Sequence, residues 1–257
     1  MQTDAPMHLL SDPLTLALAI IAVVLLGLAK GGFAGLGALA TPLLALTLHP
    51  VTAAALLLPI LLVQDVVSVW SFRKSWDGWI IAWMLPGAAL GVTLAALFAA
   101  SVPEKQVLLL LGAITAAFGA YRLWAERAGR IVAPSSSPGW VGTLFGVATG
   151  FTSQIAHAGG PPFQMWVTPR KLPHQTFVGT ASITFAAINW MKVPSYIALG
   201  SMGHEVLVAA GLLMPLAIAS TWAGVWLIRR IDSARFYTLV YVLMVLLGLR
   251  LVWQGLA

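Results

Sequence analysis

The sequence predicts an all-α membrane protein, built as an inverted repeat of two halves. Each half is expected to hold one broken or re-entrant helical hairpin plus three transmembrane helices. Three observations predict this. Hydrophobic residues make up 60% of 257 positions and charged residues 9%, with a mean hydropathy of +0.91. A water-soluble domain carries nearer a quarter charged residues, which excludes that class. Second, a glycine-broken apolar stretch, Gly27 to Pro42 (GLAKGGFAGLGALATP), returns as Gly146 to Pro161 (GVATGFTSQIAHAGGP). Gly27 and Gly146, Gly31 and Gly150, and Pro42 and Pro161 share one offset of 119. Third, the basic residues can be placed almost entirely on one side of a membrane.

A hydrocarbon crossing takes about 20 apolar residues, so this length accommodates about eight to ten segments. The absence of cysteine excludes a disulfide framework, a haem thiolate and a cysteine-based metal site. The net charge of +6 matters through where the lysines and arginines sit, since they orient the chain in the bilayer.

The first apolar arm spans 14–29, behind the helix-start signal Ser11-Asp12-Pro13. Asp4 and Asp12 precede it and no lysine or arginine does before Lys30, so it reads as a retained membrane segment, not a signal peptide. After Lys30-Gly31-Gly32 a second arm of about 15 residues, 34–48, covers roughly 22 Å, short of a roughly 30 Å core. The two arms therefore read as a hairpin that dips in and returns. Segments 50–72, 77–100 and 104–127 read as full spans. A polar, proline-bearing stretch over 128–138 separates the halves. Residues 1–130 form the first repeat, 131–138 a cytoplasmic linker and 139–257 the second repeat, within a single membrane domain. The second hairpin is expected over 139–150 and about 161–169, followed by spans 174–194, 204–228 and 234–256.

Beyond the hairpins, Pro86 pairs with Pro215, Gly119 with Gly248 and Trp124 with Trp253, all at an offset of 129. Arg73, Lys74, Arg122, Arg127, Arg130, Arg170, Lys171, Arg229, Arg230 and Arg235 fit on one side; putting that side in the cytoplasm satisfies the positive-inside rule. The first half then runs from outside to inside and the second from inside to outside. Paired broken helices in inverted halves are the layout of secondary transporters.

A broken helix in lipid must hide its unpaired backbone groups in protein or in a wet cavity. Second arms that begin at the break point their N-terminal amides inward, and helix N-termini favour anions. Lys30 sits at the first break, where an intramembrane charge is costly unless paired or functional; snorkelling to the interface is the alternative. Thr152, Ser153, Gln154 and His157 are expected to line the second break and offer neutral donors to an oxyanion. A histidine there can equally tie off backbone groups. Asp65 is expected to pair with a lysine or carry a proton, Asn189 to hydrogen-bond across helices, and Lys192, close to Pro194, to reach the interface. Trp70, Trp76, Trp79 and Trp83, near span ends, read as an interfacial belt.

The stretches AKGGFAGLGALATPLLAL, GFTSQIAHAGGPPFQMW and FVGTASITFAAINWMKVPSY resemble the TauE/SafE family of sulfite and organosulfonate exporters. The likeness covers nearly the whole chain. It implies a multi-pass permease of the bacterial inner membrane moving sulfite, sulfoacetate or another organosulfonate. On motif match it implies substrate-binding roles for Lys30, Gly31, Gly32, Gln154, His157, Gly159, Gly160, Asn189 and Lys192. Together with Phe33, Thr152 and Ser153 these are the expected binding residues, and Asp65 and His157 the expected proton-coupling candidates.

The sequence thus points to a transporter exporting a small sulfur-containing anion by alternating access, with the amino and carboxyl termini periplasmic. An anion channel, or a proton-coupled uptake permease on the same broken helices, is the alternative. No residue spacing supports an enzyme, and neither a cofactor, a metal nor a nucleic-acid partner is expected; the chain is expected as a monomer or homodimer in the lipid bilayer.

Overall fold

The computed structural model describes residues 8–32, 35–101, 103–127, 137–227 and 234–256. Phe33, most of the linker, and Arg130, Arg229 and Arg230 of the basic side lie outside the described residues. Helix α1, Pro13–Lys30, starts where Asp12 accepts from the Thr15 amide at 2.8 Å with Pro13 at the first helical position, which needs no donor. It stops at Gly31-Gly32, where Gly32 adopts φ 127°, a conformation open to glycine. The return arm is fragmentary: a 3₁₀ turn, Leu36–Leu39, leads into α2, Ala40–Leu44.

Three long helices follow: α3 (Pro50–Phe72), α4 (Gly78–Ser101) and α5 (Glu104–Arg127). The second half begins with α6 (Gly139–Ala156) and α7 (Gly160–Val167), then a 3₁₀ turn, Thr168–Arg170. It ends with α8 (His174–Ala198), α9 (His204–Leu227) and α10 (Ala234–Leu256). Among the described residues every regular element is helical.

Two expected boundaries move. The first arm of the second hairpin was expected to end at residue 150, but α6 runs on to Ala156. Gly146 and Gly150 sit inside α6 because another backbone crosses there: a Cβ on Gly150 would overlap the Ala88 carbonyl of α4. Gly31, which shares their offset from the first repeat, abuts Gly224 of α9 in the same manner. These matched glycines let helices approach closely, the usual device of membrane bundles. Helix α8 likewise passes the expected stop at Pro194 and continues to Ala198, with Tyr196 buried at 3% exposure and Ser195 Oγ donating to the Lys192 carbonyl at 2.7 Å. A proline costs a helix one donor, and here packing offsets the loss.

Helix α1 packs chiefly on α9, α4 on α6, α5 on α10, and α3 on both α8 and α9, while α8 also meets α4. Exchanging the halves element by element (α1 with α6, α3 with α8, α4 with α9, α5 with α10) maps these pairings onto one another. Among the described residues five helices are long and apolar enough to cross a membrane: Pro13–Lys30, Pro50–Phe72, Gly78–Phe98, Lys105–Trp124 and His204–Leu227. Helix α8 is as long but turns a polar face inward, with Thr180, Ser182, Thr184, Asn189 and Lys192 buried while Trp190 and Ile197 face out. That inverted amphipathicity lowers its apolar content and marks it as the polar wall of the interior.

Candidate functional site

Both breaks open onto one cavity of about 100 Å³. Its polar lining includes Lys30, Ser153, His157, Gln164, Ser182 and Asn189; Gly32 and Gly160 bring backbone to its wall, and Phe163, Phe177 and Phe185 form an aromatic side. Phe163 lies 5.8 Å from Phe177 and 5.3 Å from Phe185, centroid to centroid.

Lys30, the last residue of α1, forms an ion pair with Asp65 of α3. The second carboxylate oxygen of Asp65 accepts from Asn189 Nδ2 of α8 at 2.6 Å. Ser68, one turn along α3, has its hydroxyl 2.8 Å from the Lys30 carbonyl and 2.6 Å from that of Ser182. The Lys30 carbonyl at the first break is thereby capped by a hydroxyl, and the charge beside it is neutralised. Lys30 Nζ also lies 5.6 Å from the Phe185 ring centroid, on the ring's electron-rich face. Snorkelling is ruled out by this burial, with the Lys30 side chain 11% exposed.

At the second break His157 ends α6 in the left-handed region, φ 51°, its amide donating to the Ser153 carbonyl at 3.0 Å. A glycine usually occupies such a position; histidine is among the side chains that tolerate it. The turn aims the imidazole sideways. Nε2 lies 2.8 Å from the Ala54 carbonyl, an acceptor, so Nε2 carries the proton. Nδ1 is then the acceptor for Lys192 Nζ at 2.6 Å. The same ammonium lies 3.3 Å from both the carbonyl and the hydroxyl of Ser153. Lys192 is fully buried, so the expectation that it reaches the interface fails. The residue lies on the inward face of α8, three positions after Asn189, and its distance from a proline says nothing about that.

The expected binding residues thus divide. Lys30, Gly32, Ser153, His157, Gly160 and Asn189 line the cavity. Thr152 does not, because its hydroxyl donates to the Ala148 carbonyl of its own helix at 2.8 Å. Gln154 faces a separate cavity of about 30 Å³ beside Tyr196 and Phe98, donating to Ser195 Oγ at 2.8 Å. Gly31 and Gly159 act in backbone packing, against Gly224 and against Ser153 and Phe185. The converging helix ends also need correction. Helix α2 has five residues and follows a 3₁₀ turn, so its macrodipole is small, whereas α7 keeps eight residues from Gly160.

Sequence reasoning missed Gln164, Ser182 and the three phenylalanines. A signal for some existed: Ser182, Phe185, Asn189 and Lys192 follow helical spacing on one face of α8, and Gln164 lies four residues after Gly160 in the second break.

A bundle of long apolar helices, interrupted twice around a small cavity that is polar on one side, defines a multi-pass membrane protein of transporter type. A family model described as sulfite exporter TauE/SafE matches residues 19–251, and the chain belongs to that family of sulfur-anion exporters. Neither a curated protein nor a solved structure matches the chain.

Proposed function

We propose that this protein is a secondary transporter that exports a small sulfur-containing anion, such as sulfite, sulfoacetate or another organosulfonate, across the bacterial inner membrane. The observation that carries the reading is the shared cavity: two helix breaks from opposite halves of the chain supply its donors, and aromatic rings close its other side. Ser153 and Gln164 offer hydrogen-bonding groups to an oxyanion the size of sulfite or a short sulfonate, beside His157, Asn189 and the Lys30–Asp65 pair, which would exchange their present partners to meet it.

Alternating access follows from the repeat. Residues 1–130 and 139–257 form the two halves around a cytoplasmic linker, 131–138, and the exchange symmetry of their helix contacts supports this division. With each hairpin re-entrant and three spans after it, the halves are inverted and both termini are periplasmic. Rocking one half against the other would expose the cavity first to one side and then to the other.

Energetics favour export. A negative charge leaving a cell that is negative inside gains about 2.3 kcal/mol per 100 mV, so a monoanion needs no coupling ion to leave. If flux carries protons, Asp65 and His157 are the groups to exchange them. The test is efflux of sulfite and sulfoacetate from proteoliposomes. Saturable efflux that accelerates with an inside-negative potential is expected. Failure of either anion to move faster than from protein-free vesicles would remove the substrate class, and non-saturating flux at ion-channel rates would replace the transporter with a channel.

A further inference from the structure

The layer of side chains behind the second break separates two cavities. Along α8, Phe177, Ala181, Phe185 and Asn189 border the large cavity, whereas Tyr196 and Leu199 border the small one. Along α3, Leu61 borders the large cavity, and Ala54 and Val51 the small. From Asn189 to Tyr196 is about 10 Å of helix, so the partition is a single layer of side chains. The small cavity sits where four helix ends meet: the beginnings of α3 and α5 at Val51 and Val107, and the ends of α4 and α8 at Phe98 and Leu199. It therefore lies on the far side of the layer from the beginning of α8, where Phe177 borders the large cavity.

Hydrogen bonds hold this layer together. The Tyr196 hydroxyl donates to the Gln154 carbonyl at 2.8 Å. That carbonyl is one of those that the end of α6 leaves over, because the Ala158 amide donates to Thr152 instead. Beside it the His157 ring lies 6.3 Å from the Tyr196 ring, nearly parallel at 17°, and Nε2 reaches across to the Ala54 carbonyl. The residues that part the two cavities are thus the ones that cap the break. Gln154 adds a further sign. Its Nε2 donates to Ser195 Oγ, but its Oε1 is buried beside the small cavity with no hydrogen-bond partner among the described residues. A buried acceptor is costly unless water reaches it, and a cavity of about 30 Å³ has room for about one water.

We propose that the small cavity is the second compartment of the transport path, a hydrated vestibule entered from the opposite side of the membrane, and that Tyr196 and His157 form the gate between it and the anion site. The inference rests on the transport reading and assigns the layer that the anion must cross. Room for about one water is too little for an oxyanion, so the gate is shut in this structure. Opening it withdraws the Tyr196 hydroxyl from the Gln154 carbonyl. Water from the vestibule then takes the place of that hydroxyl, so the broken helix stays satisfied through the motion. Tyr196 borders the vestibule and not the anion site, which makes it a residue of passage and not of affinity.

The test reads which side of the membrane reaches each cavity. The chain has no cysteine, so Val51→Cys at the small cavity and Ala181→Cys at the large one each introduce a single thiol into the full-length protein. In sealed vesicles of known orientation, an impermeant methanethiosulfonate bearing a sulfonate is expected to label Val51→Cys faster from one side and Ala181→Cys faster from the other. Tyr196→Phe deletes only the hydroxyl. It is expected to speed labelling of Ala181→Cys from the Val51 side about fivefold, the equivalent of one hydrogen bond of about 1 kcal/mol, and to leave Val51→Cys unchanged. Faster labelling of both thiols from the same side, or an unchanged rate at Ala181→Cys in Tyr196→Phe, overturns the proposal.

A second measurement uses the unaltered protein, which keeps the proposal falsifiable if the variants do not fold. Hydroxyl radicals generated by radiolysis form at ordered waters and modify the side chains beside them. Tyr196 and Tyr241 are both buried, at 3% and 0% exposure, but only Tyr196 borders the small cavity. Tyr196 is expected to be modified several times faster than Tyr241. An equal or slower rate overturns the hydrated vestibule. If the thiols label from opposite sides and Tyr196→Phe joins them, but no sulfur oxyanion moves through the wild-type protein, the substrate reading fails and the gate stands.

Discussion

The ion pair at the first break should reveal itself through a double-mutant cycle. Asp65 is 2% exposed and the Lys30 side chain 11%, so each ion recovers little of its hydration when its partner is removed. Removing one member of a buried pair costs roughly 3–5 kcal/mol, most of it the penalty on the stranded charge. In Lys30→Met the Asp65 carboxylate keeps its bond from Asn189, which places that variant near the lower end, about 3 kcal/mol. Asp65→Leu strands an ammonium and the Asn189 amide together, and should cost about 4 kcal/mol. The double variant Lys30→Met/Asp65→Leu leaves only the amide unsatisfied, about 1–2 kcal/mol. The coupling energy is then about 5–6 kcal/mol. Unfolding in mixed micelles, followed by the fluorescence of the eleven tryptophans, measures all four corners of the cycle. Single-variant costs below about 1 kcal/mol, or additive behaviour to within about 0.5 kcal/mol, would refute the reasoning: Lys30 and Asp65 would then not hold α1 to α3.

Other perturbations test the packing and the two caps. Gly31→Ala drives a methyl into the Gly224 backbone and should cost about 2 kcal/mol or more, whereas Gly211→Ala, with open space around its Cβ, should stabilise α9 by up to about 1 kcal/mol; unfolding midpoints decide both. His157→Ala and His157→Gly both lose the bonds to Ala54 and Lys192, but glycine accepts φ 51° freely, so the glycine variant should be the more stable by about 1 kcal/mol in the same assay. The bonds from the Thr15 hydroxyl and amide hold the Asp12 carboxyl below its ordinary value. A carboxylate depressed in the folded state stabilises above its unfolded pKa, and that contribution is lost as pH falls through the folded one. The protection of the Thr15 amide against hydrogen exchange, taken relative to the intrinsic rate at each pH, should therefore fall below about pH 4 and stay constant above it.

The long helices were legible because burial in lipid leaves a composition signal that needs no partner: 50–72, 104–127 and 234–256 fall where the apolar runs place them. The breaks were legible as glycine clusters, but not their registers. Gly150 and Gly31 look like break residues in sequence, and they are glycines because α4 and α9 pass against them. One residue type answers both demands, and only the neighbouring helix decides between them.

The lysines show the same limit at the site. In the sequence Lys30 stands out because glycines surround it, while Lys192 matches the family motif but, two residues before a proline, also reads as an interfacial side chain. Charge in a membrane interior is decided by partners, and partners are remote: Asp65 lies 35 residues from Lys30, and His157 lies 35 from Lys192. The sequence contains all four residues but no pairing among them. Asp65 closes on Lys30 where α1 meets α3, and the packing of α3 on α8 brings Asn189 to the other oxygen of the carboxylate. The same α8 face carries Lys192 to the second break, where the imidazole of His157 and the carbonyl and hydroxyl of Ser153 lie around its amino group. The two lysines thus differ in their partners, one set against a carboxylate and the other against an imidazole and Ser153.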